Sequence, residues 1–294
     1  MRKVSKLAAI ATTMAGVLIA TPAGATAKTD PASPAGPLSS LVGCPLGNTY
    51  VISGNWDGIG GDGIGTVTKT ADGLSWHLRN GVLGGSETTF NFGLPTDIPV
   101  VGNWDGIGGD GIGVVRVTSD NQWDWYVRQG ANGGVAEYHF VYGSGNDYPV
   151  TGNWDGQGGD GVGVVSPGGG WHLRNGANAG NADYNFAYTG NFTARLPAAG
   201  NWDGIGGDGP VALGANSNGD YLWALRNDML GGSPQTTFPY GKAFPSGCAV
   251  VGNWDGIGGD GIGDVYSDGA RLQWHLRDAP NSGNANYQPF FGNP

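Results

Sequence analysis

The stretch Gly54-Asn55-Trp56-Asp57-Gly58-Ile59-Gly60-Gly61-Asp62-Gly63 returns four more times along the 294-residue chain, with its Asn at Asn103, Asn153, Asn201 and Asn253 and one change, Gln157 in place of the Ile. The intervals are 48, 50, 48 and 52 residues. A second motif, Trp-x-[Leu/Val]-Arg, keeps the same register at Trp76–Arg79, Trp125–Arg128, Trp171–Arg174, Trp223–Arg226 and Trp274–Arg277. Two separate motifs repeated five times in step make internal duplication, at a period of one supersecondary unit, the fact that governs the fold.

Working outward from the loop, each repeat reads as four short strands separated by turn signals. An apolar segment such as Pro99–Trp104 runs into the Gly/Asp loop, and a second strand such as 112–117 leaves it. A turn of the Asp72-Gly73 or Asp268-Gly269 kind leads to the Trp-x-Leu-Arg strand, where period-two alternation sets Trp and Leu on one face and Arg on the other. A Gly/Asn-rich turn then precedes an aromatic strand, at 90–93, 138–143, 184–188, 238–241 and 287–292. Four antiparallel strands in about 48 residues are the size of a propeller blade. The expected fold is all-β: a five-bladed β-propeller over 44–294, with blades at about 49–97, 98–146, 147–195, 196–247 and 248–294.

Composition agrees with this reading. The chain has 59 Gly and 17 Pro, and its acidic residues are 22 Asp against only Glu87 and Glu137, a balance that favours turns over helices. Arg2, Lys3 and Lys6, the apolar run 7–20 and the small residues Ala25-Thr26-Ala27 form an expected signal peptide over 1–27, which implies secretion to the extracellular space. Residues 28–43 read as a flexible Pro/Ala/Ser linker. Removing the signal's three basic residues takes the formal net charge from −10 to −13. Such a surface repels phosphate backbones, so nucleic acid is not an expected partner, and no later run is long and apolar enough to span a membrane. A monomer is expected.

Cys44 and Cys248 are the only cysteines. Closure of a ring brings blade five against blade one and makes these two residues neighbours across the seam. A linear stack of repeats would leave them four repeats apart, beyond bonding distance. In an oxidising compartment a disulfide is therefore expected.

The loop resembles the FG-GAP or VCBS-type repeat of integrin α-like propellers and secreted bacterial proteins, in which a strand, a Gly-Asp-[Phe/Trp]-[Asn/Asp]-Gly-Asp-Gly loop and a second strand recur. The resemblance covers all five repeats and rests on the Gly-x-Trp-Asp-Gly core. It implies a recognition propeller and calcium held by oxygens at loop positions 1, 3, 5, 7 and 9. In this chain position 1 is Asn (Asn55, Asn103, Asn153, Asn201, Asn253) and position 3 is Asp (Asp57, Asp105, Asp155, Asp203, Asp255). Position 5 is Ile59, Ile107, Ile205, Ile257 or Gln157, and position 9 is Gly throughout. Asp62, Asp110, Asp160, Asp208 and Asp260 stand at position 8, available for recruitment to a metal. Calcium takes six to eight oxygens. With two carboxylates and an amide per loop, no cofactor is required: the expectation is a structural loop, with calcium as its competitor.

The once-per-blade arginines Arg79, Arg128, Arg174, Arg226 and Arg277 offer an alternative, a bidentate pairing to the loop aspartates in place of a metal. No nucleophile elbow, zinc motif, P-loop or dinucleotide fingerprint is present. His77, His172 and His275 share one repeat position, which favours a structural origin, and no carboxylate pair stands apart as in a glycoside hydrolase, the remote alternative. The expected function is a non-catalytic recognition module that binds glycans through aromatic faces and polar acceptors, the alternative being a protein-binding, adhesive propeller. Ten of the eleven Trp fall at repeated positions; Trp123 lies outside the register and is the expected exposed ligand platform.

Overall fold

A computed structural model describes residues 44–192, 196–243 and 247–294. The expected signal peptide and linker lie outside the described residues, as do the centres of the two long inter-blade segments at 193–195 and 244–246.

The protein is all-β, five antiparallel sheets arranged as the blades of a propeller. Blade 1 comprises β2 (Thr49–Gly54), β3 (Gly63–Thr70), β4 (Gly73–Arg79) and β5 (Glu87–Asn91), with the two-residue β1 (Pro45–Leu46) paired on β2. Blade 2 comprises β6 (Ile98–Gly102), β7 (Gly111–Val117), β8 (Gln122–Arg128) and β9 (Tyr138–Ser144). Blade 3 comprises β10 (Tyr148–Gly152), β11 (Gly161–Val165), β12 (Gly170–Arg174) and β13 (Tyr184–Ala187), and blade 4 β14 (Leu196–Gly200), β15 (Gly209–Ala215), β16 (Asp220–Leu225) and β17 (Thr236–Lys242). Blade 5 departs from the expected four strands. It has β18 (Cys248–Gly252), β19 (Gly261–Ser267) and β20 (Leu272–Arg277), and its outer edge is an irregular segment tied to β20 by backbone hydrogen bonds and the bridges Gln273–Phe290 and Leu276–Tyr287. Pro289, which has no N–H to give a ladder, lies between those bridges.

The alternation in the Trp-x-Leu-Arg strand builds the core. Trp76, Trp125, Trp171, Trp223 and Trp274 are all fully buried. Each indole N–H donates to the backbone carbonyl of an aromatic residue just beyond the next ladder: Phe92, Tyr142, Tyr188, Tyr240 and Phe291, at 2.8–3.1 Å. In four blades the indole also stacks on the aromatic strand, as Trp171 does on Phe186 at 5.8 Å between centroids. One residue type thus fills the layer and satisfies its only polar atom.

The first strands β2, β6, β10, β14 and β18 line the axis and touch one another in ring order, β18 returning to β2. At that seam Cys44 and Cys248 form a disulfide with Cα atoms 5.6 Å apart, and Gly47 lies against the backbone of Pro294. The bond closes a loop of 204 residues, worth on the order of 5 kcal/mol in the chain-entropy model. A C44S/C248S variant should lose about 2–5 kcal/mol in denaturant melts; an unchanged midpoint would show that the seam is held without it.

Candidate functional site

The position-8 aspartates do not turn back on their own loops. Asp110 Oδ2 accepts the backbone N–H of Asn55 in the preceding blade at 2.7 Å, while the Asp110 N–H donates to the Asn55 carbonyl at 2.6 Å. The same two-way clasp joins Asp160 to Asn103, Asp208 to Asn153, Asp260 to Asn201 and, across the seam, Asp62 to Asn253. Glycine before the Asn is needed for this: a Cβ on Gly152 would sit 2.6 Å from Asp208 Oδ2 and 2.8 Å from its own loop's Trp154 ring. Gly58 and its equivalents carry positive φ and nest against the next loop, a Cβ on Gly58 falling 2.7 Å from the Gly109 backbone nitrogen.

These five carboxylates line an axial cavity of about 360 Å³, together with the first strands. Burial pushes Asp110 and Asp260 up to about 6 and Asp160 up to about 7, against the pull of the Asn N–H each accepts. Asp62 and Asp208 are raised well above the ordinary range, by burial first and then by neighbouring carboxylates. The ring titrates as a coupled set. Because the folded values exceed the unfolded value of about 3.9, the ring's favourable contribution is complete below pH 4 and is lost as pH rises through 6–7.

The remaining loop side chains hold their own turn. Asp57 Oδ1 accepts the Ile59 N–H at 3.0 Å, and Asn55 Nδ2 donates to the Gly60 carbonyl; Asp105, Asp155, Asp203 and Asp255 repeat the first bond, and Asn103, Asn153, Asn201 and Asn253 the second. The Oδ1 atoms of Asn103, Asn153, Asn201 and Asn253 are buried without a hydrogen-bond partner among the described residues. The position-8 carboxylate is committed to the neighbouring blade, so it does not complete a calcium site in its own loop. Among the described residues, no group of three or more His, Cys, Asp or Glu is placed to hold a metal ion.

Two expectations are corrected. The arginines do not pair with the loop aspartates; each braces the turn that follows its own strand. Arg174 donates to Asn178 Oδ1 and the Asn181 carbonyl, Arg128 and Arg277 repeat this pattern, Arg226 grips Asp228, and Arg79 donates to the Gly81 and Val82 carbonyls. The ladder alternation sends Arg to the turn end, away from the axis. Trp123 is not exposed: it is 4 % accessible, and its indole N–H donates to the Asp147 carbonyl at 2.8 Å. The extra-register Trp closes the outer end of blade 2 instead of offering a platform.

What the sequence did not flag is a cleft between blades. Between blades 2 and 3 a cavity of about 430 Å³ is lined by Tyr142, Gly143, Val164, His172, Asn181 and Asn185. Between blades 4 and 5 the equivalent positions Tyr240, Gly241, Asp264, His275, Asn284 and Gln288 line one of about 780 Å³. Tyr142 and Tyr240 each donate across the cleft, to the carbonyls of His172 and His275. The other three junctions are filled from within. The buried Asp97 and the partly exposed Arg116 form a bidentate pair at 2.7 and 2.8 Å at junction 1–2, with Arg116 over the Tyr126 ring. The Phe192 ring packs on Gly190 and Gly214 at junction 3–4, and Phe291 lies against His77 and under Arg79 at junction 5–1.

Both clefts carry carboxylates, Asp147 at junction 2–3 and Asp220 and Asp264 at junction 4–5, and of these Asp264 is the buried one. Asp264 is 2 % accessible, and burial pushes it up to about 7, opposed by the Lys242 backbone N–H at its Oδ2. Its Oδ1 has no partner among the described residues. Lys242 is paired to Asp220, and Tyr266 to His275 Nε2 at 2.9 Å. The signal was present in the sequence: Thr66, Val114, Val164 and Ala212 occupy this position elsewhere, so Asp264 is the one carboxylate in that column.

No protein-family model matches the chain, and a search of curated proteins returns no match.

Two outcomes test this geometry. The melting temperature should fall between pH 5 and pH 8, and D160N, which keeps an acceptor for Asn103 but does not titrate, should flatten that slope; a melting temperature rising over the interval would contradict the buried ring. R174A should cost about 1 kcal/mol or less, the range of an exposed turn contact. A loss of 3–5 kcal/mol in its denaturant melt would instead indicate a buried ion pair.

Proposed function

We propose that the protein is a secreted, non-catalytic glycan-recognition propeller whose sugar sites are the clefts at junctions 2–3 and 4–5. The observation that carries this is the recurrence of one cleft, with Tyr, Gly, His and an amide at matching positions, at two of the five junctions. Polymeric glycans present the same ring many times, and two matched sites on a rigid frame gain from effective concentration in a way that one protein footprint does not. The histidine rings supply a flat face and the amide side chains the directional partners that pyranose hydroxyls take, above the buried Tyr142 and Tyr240. The Cys44–Cys248 disulfide belongs to an oxidising compartment, and no helix among the described residues is long and apolar enough to cross a membrane.

The repeat's resemblance to FG-GAP/VCBS propellers supports recognition in place of catalysis, and the reading includes no required cofactor. It favours a monomer that acts outside the cell. Two of the repeated histidines, His172 and His275, line the cavities, whereas His77 packs against Phe291 and pairs with Glu87.

A glycan array followed by calorimetry on the best hit should give two sites per chain. H172A should remove one of them and leave the 4–5 cleft, and D264V should alter the other alone. An array without hits, or a stoichiometry unmoved by either substitution, would refute the cleft reading.

A further inference from the structure

At the end of the propeller where the repeated loops lie, position 5 holds Ile59, Ile107, Ile205 and Ile257, each 76–77 % exposed. Nothing local requires an apolar residue there, since blade 3 uses Gln157 with the same N–H to Asp155 bond. The loops nest: Gly58 abuts Gly108, Gly204 abuts Gly258 and Gly256 abuts Gly60, which sets the flanking isoleucines of blades 4, 5, 1 and 2 side by side in an arc through the seam. The turns after the Arg strands share this end, as the bond from Asn80 Nδ2 to Asp57 Oδ2 shows, and they add exposed Leu83, Val135 and Leu230. Seven large apolar side chains on one face are far from the scattered exposure of an ordinary surface.

The charge on that face selects the occupant. An exposed aspartate stands two residues before every isoleucine (Asp57, Asp105, Asp203, Asp255), and Asp155 before Gln157 completes an exposed acidic ring. The once-per-blade arginines are turned onto their own turns. A second copy would set one acidic ring against another, and an anionic membrane would be repelled. We propose that this face docks a cationic amphipathic segment of a partner protein, apolar side chains seated on the isoleucine arc and Lys or Arg side chains reaching the aspartates. The site is separate from the inter-blade clefts and stands whether or not those bind glycans.

Blade 3 supplies the design of the test, because glutamine is already accommodated at position 5. The probe is a short amphipathic helix of Leu and Lys, titrated by fluorescence anisotropy at two salt concentrations against a Leu/Glu helix as control. The parent protein should bind the Lys peptide with an affinity that falls as salt rises. The I59Q/I107Q/I205Q/I257Q variant should bind at least about tenfold more weakly, roughly 1.4 kcal/mol, at an unchanged melting temperature, and Q157I, which completes the crown, should bind more tightly. Equal binding by all three proteins, or equal binding of the Glu peptide, would overturn the proposal. So would a parent dimer in sedimentation that the quadruple variant dissolves, since that assigns the face to a second copy, or partition onto zwitterionic vesicles without peptide binding.

Discussion

Between each pair of blades two short hydrogen bonds join one aspartate to one asparagine backbone, and the arrangement closes on itself from Asp62 to Asn253. Each blade presents its Asn N–H and C=O at the end of an inner strand, where no further ladder can satisfy them, and the next blade's aspartate supplies both the acceptor and the donor. The clasp dictates the glycine before the Asn, which a side chain would push into the carboxylate. It also dictates the glycines through which neighbouring loops nest. The tryptophan layer, the disulfide and the position of the clefts all follow from blades held at this spacing.

The clasp has an electrostatic cost. Five carboxylates are drawn to one axis, away from bulk water, and among the described residues no arginine pairs with them. They remain tolerable because each accepts a backbone N–H and because protons are shared around the ring as the pH falls. The outcome is a scaffold whose binding surfaces are presented by a rigid frame held from the axis outward, with its least stable charge state at alkaline pH.

Functional differences arise where the repeat is broken. Two junctions are filled by residues that other blades lack, the Asp97–Arg116 pair and Phe192, and the seam by repeated positions in a contact of its own, Phe291 against His77 and Arg79. Among the described residues two junctions hold a cavity, and one of these has a buried carboxylate, Asp264. The loop face shows the opposite relation: four blades agree on isoleucine and one, with Gln157, interrupts the crown. Duplication supplied the frame, and single-residue departures from it gave each junction and each face its own chemistry.

The sequence by itself determined the all-β class, the five-fold repeat, the Trp-x-Leu-Arg core strand and the pairing of Cys44 with Cys248, because periodicity and ring closure are properties of spacing alone. It also contained Asp264 as an exception in its column, though nothing local marked that exception as buried in a cleft. Only the tertiary structure decided where the polar side chains point. Asp160 and its equivalents sit in a loop that reads as a metal site, yet they bond a blade 55 to 59 residues away. The arginines share a repeat with those aspartates but lie at the opposite side of the blade's alternation, and Trp123, outside the register, is buried by the Asp147 turn. The reason is physical: strand period fixes which face a side chain takes, whereas the partner it meets there is set by the packing of another blade, a long-range distance that no local pattern records.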